Sequence, residues 1–377
     1  MEDGKETVSI LNIEALDDTS DVQSLVTISD EEPTQFTFGC NKRRNSDDEK
    51  TLNKIAKTEP VRKNKEKNFS SQYLKIANKN LDVPIRSQEL LIREVVAMQL
   101  KMHLKPKQNV DAITTTMREP ISVVKRVAVA LHYLASCEEY RVVSSLFGIE
   151  KSTANLIVHE FINTVNDILL PKYVKFPLSV ENINKHSRDF EAILGFPQCV
   201  GAVDGCHILI SAPNDQAISY YNYKGWYSIV LFAVVDCRYR FIYTSVRSPG
   251  RNNDSYILQN SSLKAILESN LFDKYCKELG DSLVPLCLIG DLAFPITRHL
   301  LKPYFENLEL SEIQKNFNKI LCGARRLVEN TFGRVKALFR VICKRMEYDI
   351  TFVTRIINAC ITLHNVCEYY DDIVIIE

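Results

Sequence analysis

The sequence predicts an α/β chain in three parts: a disordered tail over residues 1–70, an all-α domain over 71–194, and a mixed sheet flanked by helices over 195–377. Three observations carry this reading. Residues 1 to about 70 lack hydrophobic periodicity and are rich in Asp, Glu, Ser, Thr, Lys and Asn, so they cannot bury enough apolar surface to offset chain entropy. From Ser87 onward apolar residues recur at helical spacing. At Gly195-Phe196-Pro197 the rhythm changes to short apolar runs of strand type.

Composition narrows the class. With 377 residues, 45% of them hydrophobic and 25% charged, the chain can build a sizeable core and more than one domain. Its formal net charge is zero, but the charge is segregated. Residues 1–40 carry ten acids against one lysine, and residues 41–80 twelve bases against five acids, so the overall balance says nothing about nucleic-acid binding. The 11 cysteines stand singly, without a C-x-x-C pair, and the acidic start is unlike a basic secretory leader; reduced thiols in an intracellular protein are expected. Apolar runs such as Ser228 to Val235 are too short to span a bilayer, so no membrane partner is expected.

Within the tail, Leu25-Val26-Thr27-Ile28 followed by Ser29-Asp30-Glu31-Glu32 resembles a SUMO-interacting motif, a strand that would add to a sheet edge. Lys42-Arg43-Arg44 and Arg62-Lys63-Asn64-Lys65 with Lys67 read either as a bipartite nuclear signal and phosphate contacts or as a solvated charged linker. The first alternative predicts a nuclear protein.

The all-α part begins with Leu90, Leu91, Val95, Val96 and Leu100 at helical spacing. A second helix is expected over Ile121 to Leu134, after Pro120, and a third over Tyr140 to Phe147, ending at Gly148 where a left-handed turn costs little. Ser152 is then expected to cap a helix carrying Ile157, Phe161, Val165 and Leu169. Short helix, glycine turn and capped helix is the layout of a helix-turn-helix, though an ordinary helical hairpin has the same turn chemistry. If it is a helix-turn-helix, Lys151, Ser152, Thr153, Asn155 and His159 lie at the start of the DNA-recognition helix.

In the last part, strands are expected over Cys199 to Ile210, Tyr227 to Val235 and Phe241 to Val246, with a hairpin through Asp236-Cys237-Arg238-Tyr239. A helix over Asp254 to Leu267, a strand over Leu283 to Ile289 and a strongly periodic helix follow. In that last helix Val328, Phe332, Val335, Phe339 and Ile342 form one buried stripe. Strand, strand, strand, helix, strand, helix is the order of an RNase H-like fold, in which the first strand pairs with the fourth.

One residue interrupts the first strand. Asp204 stands inside Val200-Gly201-Ala202-Val203-Asp204-Gly205-Cys206-His207-Ile208, where a carboxylate pays a large desolvation penalty unless it is paired or bound to a metal. Two matching acids occur later: Asp291, after Leu286-Cys287-Leu288-Ile289-Gly290, and Glu329, just off the helical stripe. The three are read as one site. Glu329 shares its row with Arg325, Gly333, Lys336 and Arg340. The glycine would leave space beside the carboxylate, and Arg325, Lys336 and Arg340 would meet DNA phosphates unless they simply pair with Glu329. Cys360, His364 and Cys367 share a helical face as well, but lack a fourth ligand, and plain core packing is expected of them.

The residues from Gly195 to Cys367 resemble the PIF/Harbinger transposases and the nucleases derived from them. The stretches that carry the resemblance are Val200 to Pro213, Tyr220 to Gly225, Ser248 to Leu258, Gly290 to Pro295, Arg325 to Arg340, and Leu363-His364-Asn365. The resemblance implies a catalytic triad of Asp204, Asp291 and Glu329, Mg²⁺ or Mn²⁺ as the metal held by the same residues, DNA as substrate, and a two-metal cleavage of phosphodiester bonds, with strand transfer where a DNA 3′-hydroxyl replaces water. It further implies a Myb-like companion protein that assists DNA binding, and it leaves open a homo-oligomer. Asp254 matches a family position and is read as a supporting residue at a helix start; Leu292 departs from the small residue expected after the second Asp and would crowd that turn. The rival reading is a domesticated, non-catalytic DNA-binding or adaptor protein that keeps the fold. A metabolic hydrolase is disfavoured, since neither a Ser-His-Asp elbow nor a Gly-rich phosphate loop is present.

Overall fold

The computed structural model describes residues 121–305 and 309–369. The tail, its Leu25–Glu32 motif and basic clusters, and the helix expected from Ser87 lie outside them. Three helices come first: α1 (Val123–Ser136), α2 (Tyr140–Phe147) and α3 (Lys151–Thr164). The Ser122 hydroxyl accepts from the Lys125 N–H at the start of α1, a side-chain cap on an otherwise orphan donor. Gly148 closes α2 in the left-handed region at φ 58°, as its missing Cβ allows. Ser152 is not the cap of α3: the N-cap position belongs to Glu150, without a side-chain cap hydrogen bond. A π-helical turn over Val165–Leu169 leads into α4 (Leu170–Tyr173), and α5 (Val180–Leu194) ends at Gly195.

The sheet then forms from β1 (Cys199–Leu209), the short α6 (Ala217–Tyr220), β2 (Ser228–Val235) and β3 (Phe241–Pro249). The helix expected over Asp254 to Leu267 is two, α7 (Asp254–Gln259) and α8 (Ser262–Glu268), because the chain breaks at Asn260-Ser261. The strand expected over Leu283 to Ile289 is likewise divided. β4 (Cys276–Leu279) and β5 (Ser282–Pro285) make a separate hairpin, and β6 (Cys287–Ile289) enters the main sheet with β7 (Leu300–Leu301). The helices α9 (Glu312–Leu338) and α10 (Ile350–Tyr369) complete the fold. The capping box of Ser311 with Gln314 opens α9. That helix stops at Leu338, so Phe339 and Ile342 extend the apolar stripe through a cap and a 3₁₀ turn rather than through helix, yet both stay buried.

The result is a mixed α/β fold around a five-stranded mixed sheet in the order β3-β2-β1-β6-β7. β1, β2 and β3 are antiparallel neighbours, whereas β6 lies parallel to β1, with Ala202 opposite Ile289, and β7 parallel to β6. The first strand thus pairs with the last segment of the expected fourth. Both faces are covered. Ala202, Ile229, Leu231 and Val235 pack towards α9 and α10, while Val203, Val230, Phe232 and Val234 pack towards α7 and α8. All eight residues of β2 are therefore buried, which a central strand with two covered faces requires. The core on the first face also takes in Val129, Phe147 and Phe161 of α1 to α3, so the leading helices and the sheet share one core across residue 195.

The helix α10 is long and apolar enough, by length and composition, to cross a bilayer, but most of it is buried inside the fold. His364 and Asn365 on it are structural. His364 Nε2 donates to the Tyr239 carbonyl at 2.8 Å, and burial pushes its imidazole down to about 4. The Asn365 amide accepts from Phe241 N–H and donates to the Phe241 and Tyr173 carbonyls, which ties the β2–β3 hairpin to the helical layer. Cys360, His364 and Cys367 are packed in this core, as expected.

Candidate active site

The parallel pairing of β1 with β6 decides where the acids fall. With Ala202 opposite Ile289, Asp204 on β1 and Asp291, two residues beyond the end of β6, arrive at the same end of the sheet. The α9 helix packs across β1, and its Arg325 joins the two elements. Arg325 Nη1 donates to Asp204 Oδ2 at 3.5 Å, and Nη2 donates to Glu329 Oε1 at 2.6 Å. Asp204 and Glu329 therefore share one guanidinium.

A fourth acid is present. Asp254 is the first residue of α7, whose N-cap Asn253 accepts from Tyr256 N–H at 2.8 Å. A Cβ at Gly205 would stand 2.0 Å from Asp254 Oδ1, so the glycine next to Asp204 is what lets this carboxylate approach β1. Gly290, just before Asp291, has the same function towards the Phe294 ring, which a Cβ would meet at 2.7 Å. Asp291 Oδ1 accepts from Ala293 N–H at 2.9 Å and so shapes its own turn. The Leu292 side chain is exposed rather than crowding that turn. No Cβ contact lies within 4 Å of Gly333, so the space expected beside Glu329 is open.

Burial and crowding of like charge decide the protonation of these groups. Burial, then the charges of Asp254 and Asp291, push the Asp204 carboxyl up to about 7, against the Gly205 N–H and Arg325, which hold it down. Burial and the Asp291 charge push Asp254 up to about 6. Among the described residues no three His, Cys, Asp or Glu side chains close on one point tightly enough to hold a metal as they stand; Arg325 sits between two of the acids instead. The donor set is nonetheless all hard oxygen, and a divalent cation would relieve the repulsion that raises these pKa values.

The bases expected on α9 divide. Arg325 is committed to the carboxylates. Lys336 lies beside the Cys206 thiol, two residues beyond Asp204 on β1, and lowers its pKa against the effect of burial. Arg340 is exposed on the 3₁₀ turn after α9.

The residues expected to read DNA on α3 divide too. Lys151 and Ser152 are exposed, and Thr153 and Asn155 half-buried. His159 stacks flat on Phe352, with ring centroids 3.8 Å apart and planes 4° apart, and meets Tyr348 edge-on. Burial there lowers its pKa. Its ring face is spent on packing against the start of α10, which the sequence pattern did not reveal because Phe352 lies far along the chain.

Residues 203–365 match the family described as DDE superfamily endonuclease. The chain is 31% identical over 268 residues to "Protein ALP1-like" of Arabidopsis thaliana, a span of 67% of this chain and 62% of that protein. It is 27% identical over 198 residues to the human protein named "Putative nuclease HARBI1", a span of 52% of this chain and 53% of that protein. The chain thus spans less than two-thirds of the length of these relatives. No solved structure matches it significantly. Both ends of the match fall on residues described above, one position before Asp204 and at Asn365, so all four acids and the basic row of α9 lie inside it, and residues 203–365 form a DDE superfamily endonuclease domain whose relatives are Harbinger-derived.

Proposed function

We propose that this chain is a divalent-metal-dependent DNA endonuclease that cleaves phosphodiester bonds with Asp204, Asp291 and Glu329. The observation that carries the reading is the bridge by Arg325: one cation held by carboxylates from β1 and α9, beside two more acids whose charges raise the pKa of Asp204. Four acids kept together without function would cost stability, because like charges at close range repel.

Asp204, Asp291 and Glu329 would hold Mg²⁺ or Mn²⁺, hard ions that prefer oxygen donors. When bound, the metal supplies an activated water and stabilises the departing 3′-oxygen in an in-line displacement, by two ions in the full form of this chemistry. The chain's own residues do the rest. Arg325 must release at least one carboxylate, and its guanidinium is then in position to take a DNA phosphate. Lys336 and Arg340 neutralise the flanking backbone, and Asp254 keeps the local potential negative. The same constellation would run strand transfer with a DNA 3′-hydroxyl as the nucleophile. Lys151, Ser152, Thr153 and Asn155 at the start of α3 would contact DNA as a helix-turn-helix, in a nuclear protein that shares site recognition with a Myb-like companion.

A second reading has one observation in its favour: Arg325 already pairs with both Asp204 and Glu329, as it would in an adaptor that binds DNA without cutting it. A metal titration separates the two. The nuclease reading expects nicking of duplex DNA that appears with Mn²⁺ and disappears with chelator, whereas an adaptor binds the same duplex and never cuts it.

A further inference from the structure

Beyond the acids, β1 carries His207, and around it the loop after α6 builds a projecting aromatic group. The His207 ring meets Tyr223 edge-on at 5.8 Å between centroids and Trp226 at 5.9 Å. The Lys224 ammonium lies 5.4 Å from the Tyr223 ring centroid. Tyr223 is 83% exposed, the most exposed of the large hydrophobic side chains among the described residues. An aromatic ring so presented gains nothing for the core and would be expected to be buried or replaced by a polar residue unless it meets a partner.

The base of this loop is rigid. Asn222 is 3% exposed, and its amide oxygen accepts from Lys224 N–H at 2.9 Å and Trp226 N–H at 3.3 Å. Its Nδ2 donates to Ser228 Oγ at 2.9 Å, and that fully buried hydroxyl is also hydrogen-bonded to His207 Nδ1 at 2.9 Å. Gly250 lets the neighbouring turn close over the same hydroxyl, since a Cβ there would stand 2.0 Å from Ser228 Oγ. A buried polar network holding an exposed ring is the arrangement of a pre-organised contact, in which little entropy is lost on binding.

Its position relative to the acids follows from the strand. His207 is three residues past Asp204, about 10 Å along β1 at the usual strand rise. Cys206, between them, feels Asp204, Lys224 and Lys336 together. His207 and Asp204, an odd number of positions apart, leave opposite faces of β1, and the loop comes near the acid end of that strand through Lys224, which acts on Cys206 together with Lys336.

We propose that Tyr223, set against His207 and flanked by Lys224, is a stacking platform for an unpaired nucleobase next to the scissile phosphate, so that the preferred substrate is DNA with a single-stranded or unstacked nucleotide at the cleavage point. This rests on the nuclease reading for its substrate class. A face-on ring accepts any base, and the neighbouring ammonium takes the phosphate beside it, which is the combination that binds single strands. His207 meets the ring edge-on and Tyr223 is otherwise exposed, so a base can lie flat against it.

The test uses the full chain without divalent metal, so that no cleavage occurs, and a duplex carrying one unpaired 2-aminopurine, next to a fully paired duplex of the same sequence. Wild type is expected to quench the unpaired fluorophore and to bind that duplex more tightly than the paired one. Tyr223→Ala should abolish the quench and weaken binding to the unpaired duplex by about 5- to 160-fold, the range for one base–aromatic stack, with binding to paired duplex unchanged. Tyr223→Phe should restore both, because stacking needs the ring and not the hydroxyl. Full quenching in Tyr223→Ala, or equal weakening on both duplexes, overturns the platform while leaving DNA binding intact; no binding to either duplex by wild type overturns the nuclease reading and the platform with it. At 83% exposure the Ala variant has little packing to lose beyond its contacts with His207 and Lys224, and its melting temperature serves as the control.

Discussion

Asp204 and Glu329, on β1 and α9, are held by the same guanidinium, with Arg325 Nη1 at 3.5 Å from Asp204 Oδ2 and Nη2 at 2.6 Å from Glu329 Oε1. The pairing gives both carboxylates a cationic partner, which a metal bound as proposed would have to displace. Arg325 competes with divalent cations for two of the three proposed ligands.

Replacing Arg325 by Gln should therefore act in opposite directions with and without metal. Without metal, Asp204 loses a group that holds its carboxyl down, and the acids repel with less compensation, so the melting temperature should fall. With Mn²⁺ the competitor is gone, so the gain in melting temperature on adding the ion should exceed that of wild type. An equal gain in both proteins would show that Arg325 does not occupy the metal's position.

The pH dependence of stability follows from Asp204. Its carboxyl titrates near the usual value of about 3.9 when unfolded and is pushed to about 7 when folded. The folded protein thus holds this proton more tightly, and the contribution to stability is complete below the unfolded value and is lost as pH rises through about 7. Asp254, pushed to about 6, adds loss in the same direction. Asp204→Asn should raise the metal-free melting temperature at about pH 8 and change it little at about pH 4. Mn²⁺ should stabilise wild type most at the higher pH, where the ligands are deprotonated. A melting-temperature difference independent of pH would contradict the value for Asp204.

Gly205→Ala should disable the site without replacing an acid. The added Cβ meets Asp254 Oδ1 at 2.0 Å, so the α7 start must shift, at a cost of about 1–3 kcal/mol for such overpacking. Chemical denaturation gives the cost, and a reduced response of melting temperature to Mn²⁺ gives the effect on the acid cluster. An unchanged midpoint would mean that α7 can move freely.

Salt dependence of DNA binding should distinguish the bases of α9. Lys336→Ala and Arg340→Ala should each flatten the slope of affinity against salt by about one unit per lost phosphate contact, whereas Arg325→Ala should do so less, because its charge is already shared with two carboxylates. On α3, Lys151→Ala should behave like Lys336→Ala. His159→Ala should instead lower stability by about 1 kcal/mol through loss of its stack on Phe352, which a melting curve reads directly.

The sheet was legible because period and context agree. β2 is a continuous apolar run, so its two covered faces can be read directly, and Asp204 stands out for interrupting the same pattern in β1. The acid at the end of β6 could be placed beside it because a parallel partner strand brings chain ends of equal register together. What was not legible depends on contacts between distant residues. The break of the expected helix at Asn260-Ser261 carries no Gly or Pro to announce it. The place of Asp254 within the acid cluster depends on the missing Cβ at Gly205, a steric relation between two segments. Its helix position puts His159 among the expected DNA contacts, and only the fold shows Phe352 under its ring.

In the proposed function Asp204 serves cleavage and not folding or DNA binding. The direct measurement is nicking of a DNA duplex in Mn²⁺ by wild type and by Asp204→Ala, with DNA affinity and melting temperature recorded for both. Metal-dependent nicking by wild type, lost in a variant that remains folded and bound to DNA, is the result expected. Wild type that binds the duplex but leaves it intact over a full Mn²⁺ and Mg²⁺ titration, or Asp204→Ala that nicks at the wild-type rate, would contradict the account.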